Sequence, residues 1–556
     1  VVVPVALAVA VPPAAPLPLP LAEPPVPPEA ELLLATYWVP VSVLLLEAGP
    51  PDTSPWIHLP IGYGKTMWDK RVNWRYETEP DPGMNGRRIY WPRGKTLGGS
   101  SSINGLIYIR GQREDYDHWD ALGNRGWSYD EVLPYFVKSE HNQRGVSAFH
   151  GASGPLVVSD IGARDPLIEA FIAGAGEIGV PRTEDFNGAA QGGAGYYQLT
   201  TKNGLRWSAA RAYLGPAKRR ANLKIETGAF AAGIELASGR ATGVRYRHHG
   251  AMKSALARAE VLLSAGAIQS PQLLQLSGIG PPALLQSHGI AVAHASPGVG
   301  ENLQDHLQIR ALYESTQPTT NDRLNTLLGK AGLGLQWLLF RSGPLAVGIN
   351  QGGCFMRALH DEGTHGTSDD DTPRPDIQFH VATLSAEMAG GQVHPYSGFT
   401  LSTCQLRPES RGHVRIASSD PFVPPRMHAN YLATELDRRT TVAGLKAARA
   451  IAASAAMRPR IAREVKPGPA VQSDADLLEF CRNHGATIFH PSGTCKMGPA
   501  SDPMAVLDER LRVRGIAGLR VVDCSAMPTL VSGNTHAPAV MLAEKAADMI
   551  RVDARG

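Results

Sequence analysis

The sequence predicts an α/β chain, α+β overall, with one domain built on short buried strands and a second built on an antiparallel β-sheet flanked by helices. Three observations predict it. Apolar runs end in a carboxylate at 41–49 (Glu47) and 519–523 (Asp523), the pattern of buried parallel strands. Another apolar run, 261–265, leads into a helical segment closed by Gly278, the strand–helix alternation of an α/β unit. Segments 376–381, 399–402 and 413–417 alternate apolar with polar residues, the period of half-buried antiparallel strands.

A chain of 556 residues exceeds one ordinary core, so two domains are expected. Net charge is +3, from 54 basic and 51 acidic residues, which gives no footprint for nucleic acid or acidic partners. The five cysteines, Cys354, Cys404, Cys481, Cys495 and Cys524, form no CxxC pair. That spacing argues against a disulfide framework or a zinc site and for a reducing, cytoplasmic compartment. Cys495 is read as a packed thiol.

Residues 1–40 stand apart, with eleven prolines and no glycine, and the first lysine or arginine is Lys65. Segment 1–22 has the apolarity of a membrane span, but six prolines interrupt it, each costing a helix about 3 kcal/mol. No basic region marks a secretory signal. A proline-rich linker is one reading. Another is that the stretch, which lacks an initiator methionine, is not gene-derived.

From residue 41 the pattern is regular. An acid at a strand end, as at Glu47, hydrogen-bonds an adenosine ribose in dinucleotide-binding folds, with a GxGxxG turn about 20 residues upstream. The leucines and prolines of 17–24 cannot make that close-approach turn. Either the cofactor is lost or these are not the natural residues; the rest of the chain favours the second. Segment 91–105 packs Gly94, Gly98, Gly99 and Gly105 with Ser100, Ser101 and Ser102 between apolar anchors, letting backbone N–H groups approach a ligand. After strand 261–265, Ser270 and Pro271 are expected as N-cap and first residue of a helix that Gly278 stops. Helices are also expected over 327–340 and 440–457, and 369–371 as a solvated acidic tip. Near the end, His490 sits in a Gly/Pro-bent loop, and Asn534 and His536 precede a helical run over 540–550. A histidine beside a hydrogen-bonding partner can take a proton from a hydroxyl near neutral pH. Asn534 could equally cap the helix.

Taken in order, 94–117, 266–280, 297–306, 490–498 and 532–538 resemble the motifs of the glucose–methanol–choline (GMC) flavoprotein oxidoreductases, a resemblance covering about nine-tenths of the chain. Segments 348–353 and 378–384 resemble choline-dehydrogenase-like bacterial alcohol dehydrogenases, including those acting on aliphatic alcohols and polyethylene glycol. The resemblance implies a Rossmann-like FAD-binding domain over 1–155, 205–310 and 485–556, and a substrate domain over 156–204 and 311–484. Glu47 would hold the ribose. Arg93, Gly98, Gly99, Ser101, Asn104 and Gly105 would line the pyrophosphate and flavin ring, and Asp523, Thr535 and Pro538 would face its pyrimidine side. Ile103 stands where some members attach FAD through histidine, so non-covalent FAD is expected.

His490 matches the family's catalytic histidine and Asn534 its second catalytic position. His536 is a partner of His490, a substrate-side group or a helix-start polar group. Phe489 would pack on substrate. Gln351 stands near where choline-specific members place an acid, which makes choline doubtful and a neutral primary alcohol the expectation. No metal is implied. The product would be an aldehyde and the electron acceptor a quinone, a dye-like acceptor or O2, with peripheral inner-membrane association as an option. The rivals are an O2-using oxidase, a redox-silent hydroxynitrile-lyase-like member and a flavin-free protein.

Overall fold

The computed structural model describes residues 7–11, 42–359, 374–388 and 390–555. The stretch 12–41, where GxGxxG is expected and missing, and the acidic tip 369–371 lie outside the described residues.

Two sheets organise the molecule. The first contains β1 (Leu7–Val11), β2 (Ser42–Glu47), β3 (Leu223–Thr227), β4 (Val261–Leu263) and the strand Leu519–Val521. Their order is β3, β2, β1, β4, then Leu519–Val521. β2 and β3 are parallel, as are β4 and Leu519–Val521, while β1 runs antiparallel to both its neighbours. Leu44, Leu46, Leu263 and Val521 share a core with Val540, Met541 and Leu542 of the last helix, which is why these strands read as continuous apolar runs.

The helix after β4, α1 (Gly266–Leu276), begins earlier than expected, with Pro271 inside it. Proline removes the N–H that would bond the carbonyl four residues back. That carbonyl, on Ala267, instead accepts from Thr494 Oγ1 at 2.6 Å. The expected cap, Ser270, donates to the Asp523 carboxylate at 2.5 Å. Tertiary donors thus make a proline tolerable where local rules place a helix start.

The second sheet is antiparallel throughout. Its order is Ile461–Lys466, β5 (Leu307–Ser315), β8 (Gly398–Gln405), β7 (Ile377–Ala382), β6 (Asn350–Met356) and Gly193–Tyr196, with Ala486–Thr487 pairing the start of β5. β5 runs across the expected boundary at 310/311. The strand His413–Arg415 pairs with Arg426–His428 and stays outside this sheet. Ile309, Phe379, Val381 and Leu401 face Leu445 and Ile451 of α3 (Glu435–Ala452) and Phe171 of the helix Pro166–Glu177, each buried side chain contributing about 1.5–3 kcal/mol. Period-two alternation therefore turns Gln308, Arg310, Gln378, His380, Thr400 and Ser402 to the opposite face. The helix α2 spans Leu327–Phe340. α3 starts ahead of the expected 440, capped by Thr434, whose side chain accepts from Asp437 N.

Candidate active site

A cavity of about 1280 Å³ runs from Glu47 at the end of β2, along loop 93–105 and the start of α4 (His536–Asp553), to His490 and across the front face of the second sheet. Small-ligand sites usually occupy roughly 300–1,000 Å³, so this one has room for a cofactor and a substrate together.

The loop carrying His490 is laced to the start of β5. Ile488 N donates to His306 O at 3.0 Å, and Gln304 and Ser492 exchange two backbone bonds at 2.9 and 3.0 Å. His490 N donates to Asp305 Oδ1 at 2.8 Å, and the other oxygen of that carboxylate accepts from Tyr431 Oη. Arg93 Nη2 donates to Phe489 O at 2.6 Å, and Phe489 N to Thr487 Oγ1 at 2.6 Å. These bonds hold Phe489 at φ +75°, a left-handed conformation costly for an aromatic residue. The strain turns the next side chain, His490, into the cavity.

The hydrogen bonds assign the tautomer of His490. His306 Nε2 lies 2.8 Å from Leu406 O; a carbonyl only accepts, so this nitrogen carries the proton. In a neutral ring His306 Nδ1 is then an acceptor. His490 Nδ1, 2.9 Å away, must donate to it, which leaves His490 Nε2 with a free lone pair. Burial above all, with His306, His380 and Arg93 close by to oppose a further positive charge, pushes the His490 pKa well below 6.5, and burial lowers His306 to about 4. Both rings are neutral near pH 7, and Nε2 is a base.

Asn534 Nδ2 lies 3.3 Å from His490 Nε2. Its Oδ1 accepts from Gln378 Nε2 at 3.1 Å, and that amide also donates to Tyr197 Oη at 3.0 Å. Gln378 thus fixes the amide with its N–H groups toward His490. Asn534 is not the helix cap: Thr535 holds that position, without a side-chain cap bond. His536 is the first residue of α4 and lines the cavity. Neither of its ring nitrogens has a partner among the described residues, and burial lowers its pKa to about 4. It makes no bond to His490.

The cofactor end is built from the other predicted residues. Glu47 Oε1 accepts from Gly49 N at 2.7 Å, and burial raises its pKa to about 8. Gly98 has φ +88°, and a Cβ there would meet Ser102 Oγ at 2.2 Å. Gly99, Ser101, Asn104, Gly105 and Arg93 line the wall with it. Ser101 Oγ donates to Gly98 O and accepts from Ala209 N. Asn104 is clamped by the buried Arg206, which donates to its Oδ1 at 2.6 Å and its carbonyl at 2.7 Å. Asp523, on the wall, accepts from Gly266 N at 2.9 Å and Ser525 N at 2.8 Å, and burial raises its pKa. Thr535 also lines the cavity, and α4 presents its positive N-terminal end there. Pro538 and Gln351 are absent from the wall; Ala539, Ile349 and Asn350 stand there instead. The unpartnered His536 nitrogens, the glycine-floored loop and the two carboxylate acceptors, Glu47 and Asp523, are the polar groups a flavin dinucleotide requires, so the residues fit FAD.

Sequence reasoning gave no site role to Asp305, His306, Arg310 and His380, although 297–306 and 378–384, which it singled out as motifs, contain Asp305, His306 and His380. Two of them had a signal: the alternation of Gln308 and Arg310 in β5, and of Gln378 and His380 in β7, places these side chains on one face. Both His380 ring nitrogens are unpartnered among the described residues, and burial lowers its pKa to about 3.

GMC oxidoreductase family models match residues 30–308 and 408–543. An alcohol dehydrogenase [acceptor] of Pseudomonas putida is 42% identical over 91% of this chain and 91% of its own. An oxygen-dependent choline dehydrogenase of Brucella anthropi is 42% identical over 92% and 91%. An FAD-dependent oxidoreductase from Chaetomium thermophilum superposes with a TM-score of 0.83 at 26% identity, covering 93% of this chain and 95% of that one.

Proposed function

The chain belongs to the GMC oxidoreductase family, and we propose that it oxidises a primary alcohol to the aldehyde with FAD, His490 serving as general base. The observation that carries this reading is the unprotonated, acceptor His490 Nε2 at the cavity wall, met by the Asn534 amide. An alcohol oxygen replaces the contact between the two groups with one bond to each. His490 takes the hydroxyl proton, and Asn534 donates to the developing alkoxide. An isolated imidazolium is unfavourable at this buried position; the alkoxide beside it supplies the counter-charge until hydride leaves the carbon. Bound FAD supplies the acceptor for that hydride. Phe489 holds the substrate carbon over the reaction site, and positioning is the main contribution of the protein. His536 acts as a polar group at the start of α4 on the cofactor side.

FAD is held without a covalent link in this reading. Support comes from Ile103 in the cavity wall, a side chain with no nucleophile to offer. Acid precipitation that left the yellow colour on the protein would contradict it. Glu47, loop 93–105, Asp523 and Thr535 hold the cofactor.

The decisive experiment is anaerobic flavin reduction by a panel of primary alcohols, with wild type and His490→Ala. The variant is expected to be slower by roughly 10²–10⁴-fold; unchanged kinetics would refute the role. Reoxidation with a quinone, a dye and O2 then identifies the electron acceptor.

Among the described residues no helix is long and apolar enough to cross a membrane. Peripheral contact of a cytoplasmic protein with the inner membrane is supported by α2. Leu327, Leu328 and Phe340 on it are 85%, 89% and 73% exposed, while its Leu333 and Trp337 line the cavity. Apolar side chains this exposed suit the interfacial zone of a bilayer. Co-flotation with liposomes that survives Leu328→Ser, Phe340→Ser would exclude that contact.

A further inference from the structure

Arg310 is a half-buried cation on the cavity wall with no counter-ion among the described residues. It stands on β5, opposite Ser402 of β8, and Ser402 in turn pairs with His380 of β7, so Arg310, Ser402 and His380 form one row across the sheet. All three line the cavity, as does Gln308. Among the described residues the guanidinium makes one hydrogen bond, from Nε to Gln308 Oε1 at 3.3 Å, and no ion pair. The carboxylates on the cavity wall are Glu47 and Asp523, both at the cofactor end. Away from that end the wall carries no carboxylate: its charged and titratable groups include Arg310, His380, His490 and Tyr63, with Lys65, Arg93 and Lys330 as further cations. The three fully buried arginines among the described residues are satisfied: Arg110 pairs with Glu140, Arg206 makes four hydrogen bonds to protein acceptors, and Arg520 pairs with Glu260 and Asp553. Withdrawing a cation from water without a partner is costly even when partial, and a fold that tolerates it at a cavity wall has the partner arrive with the ligand.

We infer that Arg310 is an anion-recognising residue and that the substrate is a hydroxy acid: a primary alcohol whose far end bears a carboxylate. The inference rests on the alcohol-oxidation reading and adds the charge of the substrate to it. Gln378, which holds Asn534, is two residues from His380 on the same face of β7. Two strand spacings, about 10 Å, separate His380 from Arg310 across the sheet. The long arginine side chain closes part of that gap, so a short aliphatic spacer connects hydroxyl to carboxylate. The planar guanidinium offers the carboxylate two parallel N–H donors. The same charge repels a quaternary ammonium, so choline is disfavoured by a cation on the wall. The expected neutral alcohol becomes the weaker ligand.

The test compares matched substrates on the FAD-loaded enzyme. Flavin reduction is followed anaerobically with 1-butanol and 4-hydroxybutanoate, with 1-hexanol and 6-hydroxyhexanoate, and with choline. Wild type should favour one or both hydroxy acids over the matched alcohol and reject choline. Arg310→Met should lower the hydroxy-acid to alcohol efficiency ratio on the order of 100-fold, with Arg310→Lys retaining part of it. Reduction by the neutral alcohols without any preference for the acids would overturn this inference and leave the alcohol-oxidation reading standing. Bleaching by none of them would overturn both. Should the variants not fold, inhibition by hexanoate against tetramethylammonium on wild type decides: stronger inhibition by the cation overturns the inference.

Discussion

His150 and His490 are buried to nearly the same degree, 5% and 7% exposed, and each ring has a polar partner on both nitrogens. They nevertheless differ in charge at neutral pH, one a cation and the other neutral. Burial alone lowers the pKa of His150, but Asp185 at 2.8 Å from Nε2 and Glu140 at 3.1 Å from Nδ1 raise it to about 9. The ring is a cation inside a network with Arg110 and Glu140. His490 meets another neutral histidine and an amide, and nothing offsets its desolvation. The lesson is that burial sets the direction in which an imidazole moves, and the charge of its partners decides whether it arrives as a structural cation or as a base.

The largest expected effect separates the two directly. His490→Gln should slow flavin reduction by roughly 10²–10⁴-fold while the melting temperature stays close to wild type. His150→Gln should do the reverse, lowering the melting temperature and leaving the reduction rate within about 3-fold, because a surface-remote ion network acts through stability alone. Equal kinetic losses in stopped-flow would break the comparison.

Next in size is the tautomer. His306→Leu removes the acceptor that places the His490 proton on Nδ1, so Nε2 loses its assured lone pair. Reduction should slow by roughly 10- to 100-fold, the usual scale for a residue that orients another. The pH profile should change too, which simple loosening of the loop would not produce. A profile identical to wild type would remove His306 from this role.

These residues also mark how far the sequence could be read. His490, Asn534 and Asp523 lie in short linear motifs near strand or helix ends, where local rules operate. His306 stands 184 residues before His490, and their contact depends on the pairing of Ala486–Thr487 with β5, a register that no local pattern specifies. The start of α1 was misread because Pro271 obeys the rule for a first helical residue until a distant threonine supplies the missing donor. The start of α3 was expected at 440 and lies at Glu435; the local signal is Thr434 with Asp437 at the spacing of a helix cap, which the apolar run alone does not carry. β1 is a different matter: no strand was expected over 7–11, and it runs antiparallel to both its neighbours.

Stability against pH sharpens the contrast further, because the two classes have opposite slopes. His150 has a folded pKa of about 9, above the unfolded value of 6.5. Its contribution is fully present below pH 6.5 and is lost as pH rises from there through about 9. His306 and His536, lowered to about 4, bind protons in the unfolded chain before they do in the folded one. Their effect is a loss of stability as pH falls from about 6.5 toward 4. Thermal melts should therefore peak near pH 6.5, and His150→Gln should flatten only the alkaline side. Flattening of the acid side instead would contradict the assignment.

The smallest effect concerns the neutral anchoring of the catalytic loop. Thr494 sits four residues after His490, and its hydroxyl satisfies the Ala267 carbonyl that Pro271 leaves without a backbone partner. Thr494→Val removes the donor with little change of shape, so its cost is that of one unsatisfied buried carbonyl, about 1–3 kcal/mol. The site offers its own control. Pro271→Ala restores an N–H at the position where an α-helix would bond Ala267 O, and in that background the threonine becomes redundant. The Thr494→Val cost should shrink by about 1 kcal/mol or more, a coupling readable from a double-mutant cycle in urea. Additive costs would mean that Thr494 holds the loop through packing and that the carbonyl is satisfied some other way.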